Sequence, residues 1–254
     1  MKIDAFPKIS IITPSLNQSN FIEDNIKSVL EQDYPNFEHI IIDGGSNDGT
    51  LEILKKYSHI KWISEKDKGQ SDALNKGIKM ATGNIIGWLN ADDFYCKNIF
   101  KDIVKAYIKN PKSWYIGNII LYDNETKIHI YDKTPNIRKL LKFNPYVVRQ
   151  AGAFYSKYIL DKIGGFNPNF FMVMDYDLWI RLLKISEPEI LNIYVSYFRI
   201  HKNQKSNFKN LKTQTKELIE IIFREKNYIS IIFITLMILK RISKNMLKTL
   251  LKLN

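Results

Sequence analysis

Cysteine is almost missing from these 254 residues: Cys96 stands alone, so neither an intramolecular disulfide nor a multi-cysteine zinc site can form. A reducing compartment is the expectation. Histidine is scarce as well, and His39, His59, His129 and His201 include no H-x-x-x-H pair. Met1–Pro7 carries no apolar signal core, so secretion is not expected. Neither G-x-G-x-x-G nor G-x-x-x-x-G-K-[ST] occurs, which leaves a dinucleotide fingerprint and a P-loop without support. No internal repeat or low-complexity block is visible. What is present suffices for a real core, with 45% hydrophobic and 13% aromatic residues. The length fits one large domain, or one domain and an appendage.

The formal charge of +12 is placed unevenly. Residues 201–254 hold twelve Lys and Arg against three acids, while the first 200 residues are nearly balanced. Within that tail, Tyr228–Leu239 is apolar apart from Ser230 and Thr235. Twelve residues reach only about 18 Å as a helix, short of a hydrocarbon core of roughly 30 Å. Lys240–Lys252 then interleaves Ile242, Met246, Leu247, Leu250 and Leu251 with lysines. This composition suits a helix lying on an anionic membrane surface through residues 228–254. The same stripe would otherwise pack on the domain or join a homo-oligomer. A nucleic-acid partner is not expected, because the basic residues alternate with long aliphatics and form no recognition module.

Along the first hundred residues strand-like and helix-like segments alternate, as in a mostly parallel sheet. Strands are expected at Lys8–Thr13, Phe37–Ile42, Ile60–Ser64 and Ile85–Leu89. Helices are expected at Asn20–Glu31, capped by Ser19 or Asn20, at Leu51–Tyr57 and at Ser71–Ala81. A helix over Ile99–Ile108, a strand at Trp114–Gly117 and a hairpin turning near Asp123-Asn124 follow. Gln150–Tyr155 and Ile190–Ile200 read as strands and Asp175–Lys184 as a helix; residues 132–150 and 167–173 carry no readable pattern.

The strand ends carry the chemistry. Thr13-Pro-Ser-Leu-Asn17, Asp43-Gly-Gly-Ser46 and Asn90-Ala-Asp-Asp93 converge on one edge if the sheet is parallel, where ligands bind in open α/β folds. Adjacent carboxylates at Asp92 and Asp93 call for a compensating cation, and a divalent ion carrying phosphates is the usual one. Read bottom-up, Asp67 is a hydrogen-bond acceptor for a base and Lys76 a phosphate partner. Solvated loops and an exposed helix face are the plain alternatives. Asp175 and Asp177 point about 200° apart on one helix. Asp177 has Arg181 four residues on, a pairing worth little on a surface, whereas no local cation accounts for Asp175, whose plain alternative is an N-cap.

These motifs, in this order, together with Ser64-Glu-Lys-Asp-Lys-Gly-Gln-Ser-Asp-Ala-Leu-Asn-Lys-Gly77, resemble those of family 2 glycosyltransferases over about residues 8–206. Gly164-Gly-Phe166 and Met174-Asp-Tyr-Asp-Leu-Trp179 resemble the family's acceptor-side segment. The resemblance implies a GT-A fold: a Rossmann-like, mostly parallel central sheet flanked by helices, here with a C-terminal helical appendage. It divides the chain into a catalytic domain at 1–206, with a nucleotide-sugar half at about 1–95 and an acceptor half at about 96–206, and a basic amphipathic tail at 207–254. It implies an inverting, metal-dependent transfer from a nucleotide-diphosphate sugar, a UDP-sugar by expectation, to a glycan or lipid-linked glycan in cell-surface polysaccharide synthesis. The place would be cytoplasmic, on the inner face of the plasma membrane.

Residue by residue, the resemblance makes Asp175 the catalytic base and Asp93, with Asp92, the holder of Mn2+ or Mg2+. Thr13, Pro14, Ser15, Asn17, Asp43, Asp67, Lys76, Asn90, Ala91, Asp92 and His201 become the donor-binding set. Three positions depart from the pattern. Asn90 stands for the first aspartate of D-x-D, Met174 for the acid that often precedes the base, and Gly44 for a base-contacting aspartate. These departures keep a catalytically silent sugar-nucleotide or glycan-binding module open, and the basic pI keeps a nucleic-acid binder open.

Overall fold

Short apolar runs separated by turns and amphipathic helices build a layered α/β structure. The computed structural model describes residues 6–123, 127–130, 148–202, 204–205 and 210–250. Its first half consists of β1 (Ile9–Ser15), α1 (Ile22–Leu30), β2 (Phe37–Asp43), α2 (Thr50–Leu54), β3 (Ile60–Ser64), α3 (Gln70–Met80) and β4 (Ile85–Trp88). The four strands are parallel in the order β3-β2-β1-β4. The near-continuous burial of β1, β2 and β4 is that of strands covered on both faces, while the edge strand β3 is only partly covered.

Next come β5 (Phe94–Tyr95), α4 (Phe100–Lys109), β6 (Trp114–Tyr122), β7 (Lys127–Ile130), β8 (Ala153–Ser156), α5 (Lys157–Ile163), α6 (Met174–Leu182) and β9 (Glu189–Arg199). Here pairing turns mixed: β8 is antiparallel to β4 and β6, β9 is parallel to β6, and β5 is antiparallel to β9. The expected hairpin is β6 against β7. Asn124 of its turn and residues 132–147 of the acceptor half lie outside the described residues. Two local expectations differ. The strand at Gln150 starts only at Ala153, because Gln150–Gly152 forms a 3-10 turn with Gly152 close against the Gly117 carbonyl. Neither Ser19 nor Asn20 caps α1: Phe21 takes the N-cap position without a side-chain bond, and the Ser19 N–H is drawn to Asp48 Oδ2 (3.0 Å).

One core, with Ile12, Ile42, Leu74, Trp114 and Trp179, fills one side of the sheet; a second, with Ile11, Phe100, Ile103 and Tyr115, fills the other. The first core continues past residue 206. Leu218, Ile221 and Ile222 of α7 (Leu211–Arg224) and Ile234 of α8 (Ile229–Leu250) belong to it.

The pair read as a surface contact is internal. Asp177 is fully buried and takes Arg181 Nε at 2.8 Å, while Arg224 of α7 reaches its other oxygen. Arg224 thus links α7 to α6 at a carboxylate with no exposed surface. Both arginines keep access to water and other acceptors, so what is lost with Asp177 is its charge-assisted hydrogen bonds. Asp177→Ala should therefore lower stability by about 1.5–3 kcal/mol, read from the urea midpoint; a loss below about 0.5 kcal/mol would contradict this.

Candidate active site

Because β1, β2 and β3 run parallel, Ser15 pairs with Asp43 and Asp43 with Ser64, so their carboxyl ends share one edge. The turn after β4 is brought to the same edge by Asn25 of α1. This fully buried side chain donates from Nδ2 to the carbonyls of Asn90 (2.8 Å) and Asp93 (3.0 Å). Thr13 Oγ1 in turn donates to Asn25 Oδ1 (3.3 Å).

At this edge opens a cavity of about 470 Å³. Of the residues expected in the site, Pro14, Ser15, Asp67, Asn90, Ala91, Asp92 and Asp175 line it. His201 joins them by donating from Nε2 to Asp92 Oδ2 at 2.9 Å. Thr13, Asn17, Asp43, Lys76 and Asp93 stand behind or beside the wall. Thr13 is buried against Asn25. Asn17 and Asp43 shape the loops: Asn17 Oδ1 takes the Asn47 N–H (3.0 Å), and Asp43 Oδ2 takes those of Gly45 (3.0 Å) and Ser46 (2.8 Å). Lys76 is held by Glu65 (2.7 Å) and Asp72 (3.5 Å) along α3.

The two adjacent acids face opposite ways, contrary to the expectation that placed Asp93 first. Asp93 is buried to 1% exposure and accepts the Arg199 N–H at 2.9 Å. Burial, and then the charge of Asp92, push its carboxyl well above the usual range. Asp92 faces the cavity with its backbone fixed from behind, where Arg199 Nε donates to the Asp92 carbonyl (3.1 Å). The Arg199 guanidinium lies over Phe21 and Phe94, each at 5.2 Å, and Tyr122 at 5.5 Å. Asp92 and His201 fit a divalent ion that completes its shell with phosphate oxygens. No cluster of three or more His, Cys, Asp or Glu occurs among the described residues, so a wholly protein-made cage is not what this edge offers.

The three departures have local reasons. Asn90 Oδ1 accepts from Gln70 Nε2 (2.7 Å) and Trp88 Nε1 (2.8 Å), and its Nδ2 donates to Gln150 Oε1 (2.9 Å). An aspartate would lose that donor. At position 44 a Cβ would come within 2.9 Å of Asp67 Oδ2, so Gly44 makes room for Asp67 at the wall. Met174 is buried to 2% exposure, with its sulfur 3.1 Å from Ser71 Oγ.

Asp175 occupies the first turn of α6 and lines the cavity. It is not the N-cap, which is Val173. Burial raises its carboxyl from 3.8 to about 6, opposed by the Tyr176 N–H at 2.8 Å and by the charges of Lys205 and Arg149. The cations missing from its own helix thus come from distant segments. Burial also lowers the Lys205 ammonium to about 8; it donates to Gln70 Oε1 (2.9 Å) and lies 4.0 Å over the Phe171 ring. Sequence reasoning assigned no role to Gln70, Arg149, Gln150 or Lys205. It also passed over Asn25, whose signal was present: a polar residue inside the apolar stripe of Phe21, Ile22, Ile26 and Val29.

Comparison with known proteins identifies the family and the fold. The profile of Glycosyl transferase family 2 matches residues 10–164. A UDP-Glc:alpha-D-GlcNAc-diphosphoundecaprenol beta-1,3-glucosyltransferase of Escherichia coli, WfgD, is 30% identical over 217 residues, 81% of this chain and 83% of the relative. The putative teichuronic acid biosynthesis glycosyltransferase TuaG of Bacillus subtilis is 39% identical over 98 residues, 36% of this chain and 38% of that protein. S. aureus TarS 1–349, solved with UDP-GlcNAc, superposes with a TM-score of 0.66 at 17% identity, covering 85% of this chain and 66% of TarS 1–349. The mannosyltransferase PcManGT of Pyrobaculum calidifontis, solved with GDP-Man and Mn2+, gives 0.64 at 17%, covering 87% and 65%. The chain thus spans about two thirds of those structures. The fold is that of GT-A glycosyltransferases.

A carboxyl raised in the folded state favours folding at low pH, and that contribution is lost as pH rises from 3.8 through about 6. Asp175→Asn should therefore stabilise the chain at pH 7.5 by about 1–3 kcal/mol, with little gain at pH 4. Urea melts at the two pH values measure it; an equal or larger gain at pH 4 would refute the assignment of burial as the cause.

Proposed function

The chain belongs to glycosyl transferase family 2, and on that premise we propose an inverting transfer from a UDP-sugar to a hydroxyl of a glycan or lipid-linked glycan. The observation that carries this reading is the arrangement of Asp175 and Asp92 around one cavity, the first half-buried with a raised pKa, the second bonded to His201. Asp175 takes the proton of the acceptor hydroxyl, whose oxygen attacks the anomeric carbon as the bond to the diphosphate breaks. Base catalysis of this kind is worth about 10²–10⁴-fold.

Ser15, Asp67 and Asn90 hold the nucleoside end. Thr13, Asn17 and Asp43 act one layer behind, by shaping the loops that carry those groups. Asp92 and His201 would hold Mn2+ or Mg2+, which supplies charge neutralisation for the departing diphosphate when bound. Asp93 keeps the Asp92 turn in place from within. Lys205 adds a cation at the Asp175 end. The acceptor class is supported by WfgD, named for a diphosphoundecaprenol-linked sugar, and by TuaG, named for teichuronic acid synthesis.

An acceptor of that kind resides at a membrane, and the C-terminal helix suits one. α8 presents Ile229, Ile232 and Leu236 on one face, each more than half exposed, ahead of the basic stretch. No helix among the described residues is long and apolar enough to cross a bilayer. The helix would lie along the inner leaflet of the plasma membrane, its cations against anionic lipid.

A thermal-shift screen of nucleotide sugars with and without Mn2+ should single out one donor class by several degrees. Asp175→Asn should keep that shift while transfer falls at least 100-fold, and wild-type turnover should fall below about pH 6. Wild-type-like turnover by Asp175→Asn would remove the base from this position. For the tail, a variant combining Ile229→Ser, Ile232→Ser and Leu236→Ser should lose co-sedimentation with anionic vesicles while retaining its melting transition. Unchanged sedimentation would count against the membrane reading.

A further inference from the structure

The amides leading into α6 are satisfied from outside that helix. Phe171 N–H donates to Glu217 Oε1 at 2.9 Å, and Met172 and Val173 N–H donate to Oε2 at 2.7 and 3.1 Å. These three amides lie just ahead of the helix, whose N-cap residue Val173 offers no side-chain bond of its own. One carboxylate of α7, buried to 7% exposure, holds all three and puts its charge where the α6 dipole favours it. Two turns further along α7, Arg224 holds Asp177. Asp175 therefore lies between two points, Val173 and Asp177, that the same helix grips by charged contacts. Phe171, Met172 and Val173 are also cavity wall.

We propose that Glu217 is a positioning residue for the transfer reaction: its carboxylate fixes Phe171–Val173 and so sets where the Asp175 carboxylate meets the acceptor. This rests on the reading of Asp175 as the base. The need for a carboxylate is stoichiometric. Three donors converge on two oxygens, whereas an amide offers one oxygen and turns its own N–H groups toward them. A glutamate that merely fastened α7 to the core would be read out in global stability and nowhere else.

The test compares Glu217→Gln with the exposed control Glu220→Gln. Amide-resolved hydrogen exchange should show Phe171, Met172 and Val173 exchanging at least tenfold faster in Glu217→Gln. Transfer should lose about 10–100-fold in kcat with the donor KM within twofold, and the control should match wild type in both. Unchanged exchange at the three amides overturns the proposal, as does faster exchange with an unchanged kcat. If Glu217→Gln shows no cooperative melt, Glu217→Asp, which withdraws the carboxylate by one methylene, is read by the same two criteria. A wild type that turns over no nucleotide sugar would instead overturn Asp175 as base, while the exchange result still decides whether Glu217 fixes the segment.

Discussion

Everything at the cavity edge depends on a buried amide that bends the chain after β4. Asn25 joins the carbonyls of Asn90 and Asp93, closing the turn that presents Asp92. A buried polar group is tolerated only when its partners are supplied, and Asn25 has them on both sides, with Thr13 at its carbonyl oxygen. The turn is thereby tied to α1 and β1 rather than to its own flanking residues. Arg199 fastens it from the opposite direction, through the Asp93 carboxylate and the Asp92 carbonyl.

Within that frame the charges are sorted. At one end Asp92 and His201 face each other; at the other, Asp175 is desolvated with Lys205 near it. Between them runs a neutral bridge of side-chain amides, Gln70, Asn90 and Gln150, to which the Lys205 ammonium is also bound. A third carboxylate at position 90 would add like charge between the two ends, raising the cost of ionising either. The asparagine keeps the geometry of an oxygen acceptor without that repulsion.

Much of this was legible in the chain. Buried apolar runs ended by Pro14, Asp43 and Asn90 marked the parallel strands and located the edge where polar clusters meet. The direction of individual side chains was not. Once a strand ends, its period of two no longer says which of two neighbours turns inward, so Asp92 and Asp93 were indistinguishable. Lys205 and Arg149 come from segments without periodicity, and only the fold brings them beside Asp175. The role of α7 was hidden for another reason. Leu218, Ile221 and Ile222 are spaced among lysines and glutamates as on a surface helix, and nothing local shows that Glu217 is buried or that Arg224 reaches Asp177.

The enclosure of Asp177 by Arg181 and Arg224 has a consequence for how this sequence drifts. Losing Asp177 alone leaves Arg181 and Arg224 without their shared partner, and losing either arginine leaves the buried carboxylate one partner short, whereas exchanging all three for well-packed apolar side chains can be neutral or favourable. The three positions are therefore expected to vary as a set across descendants of this chain, or not at all. The helices α6 and α7, distant in sequence, would then carry a shared record of substitution that neither carries alone.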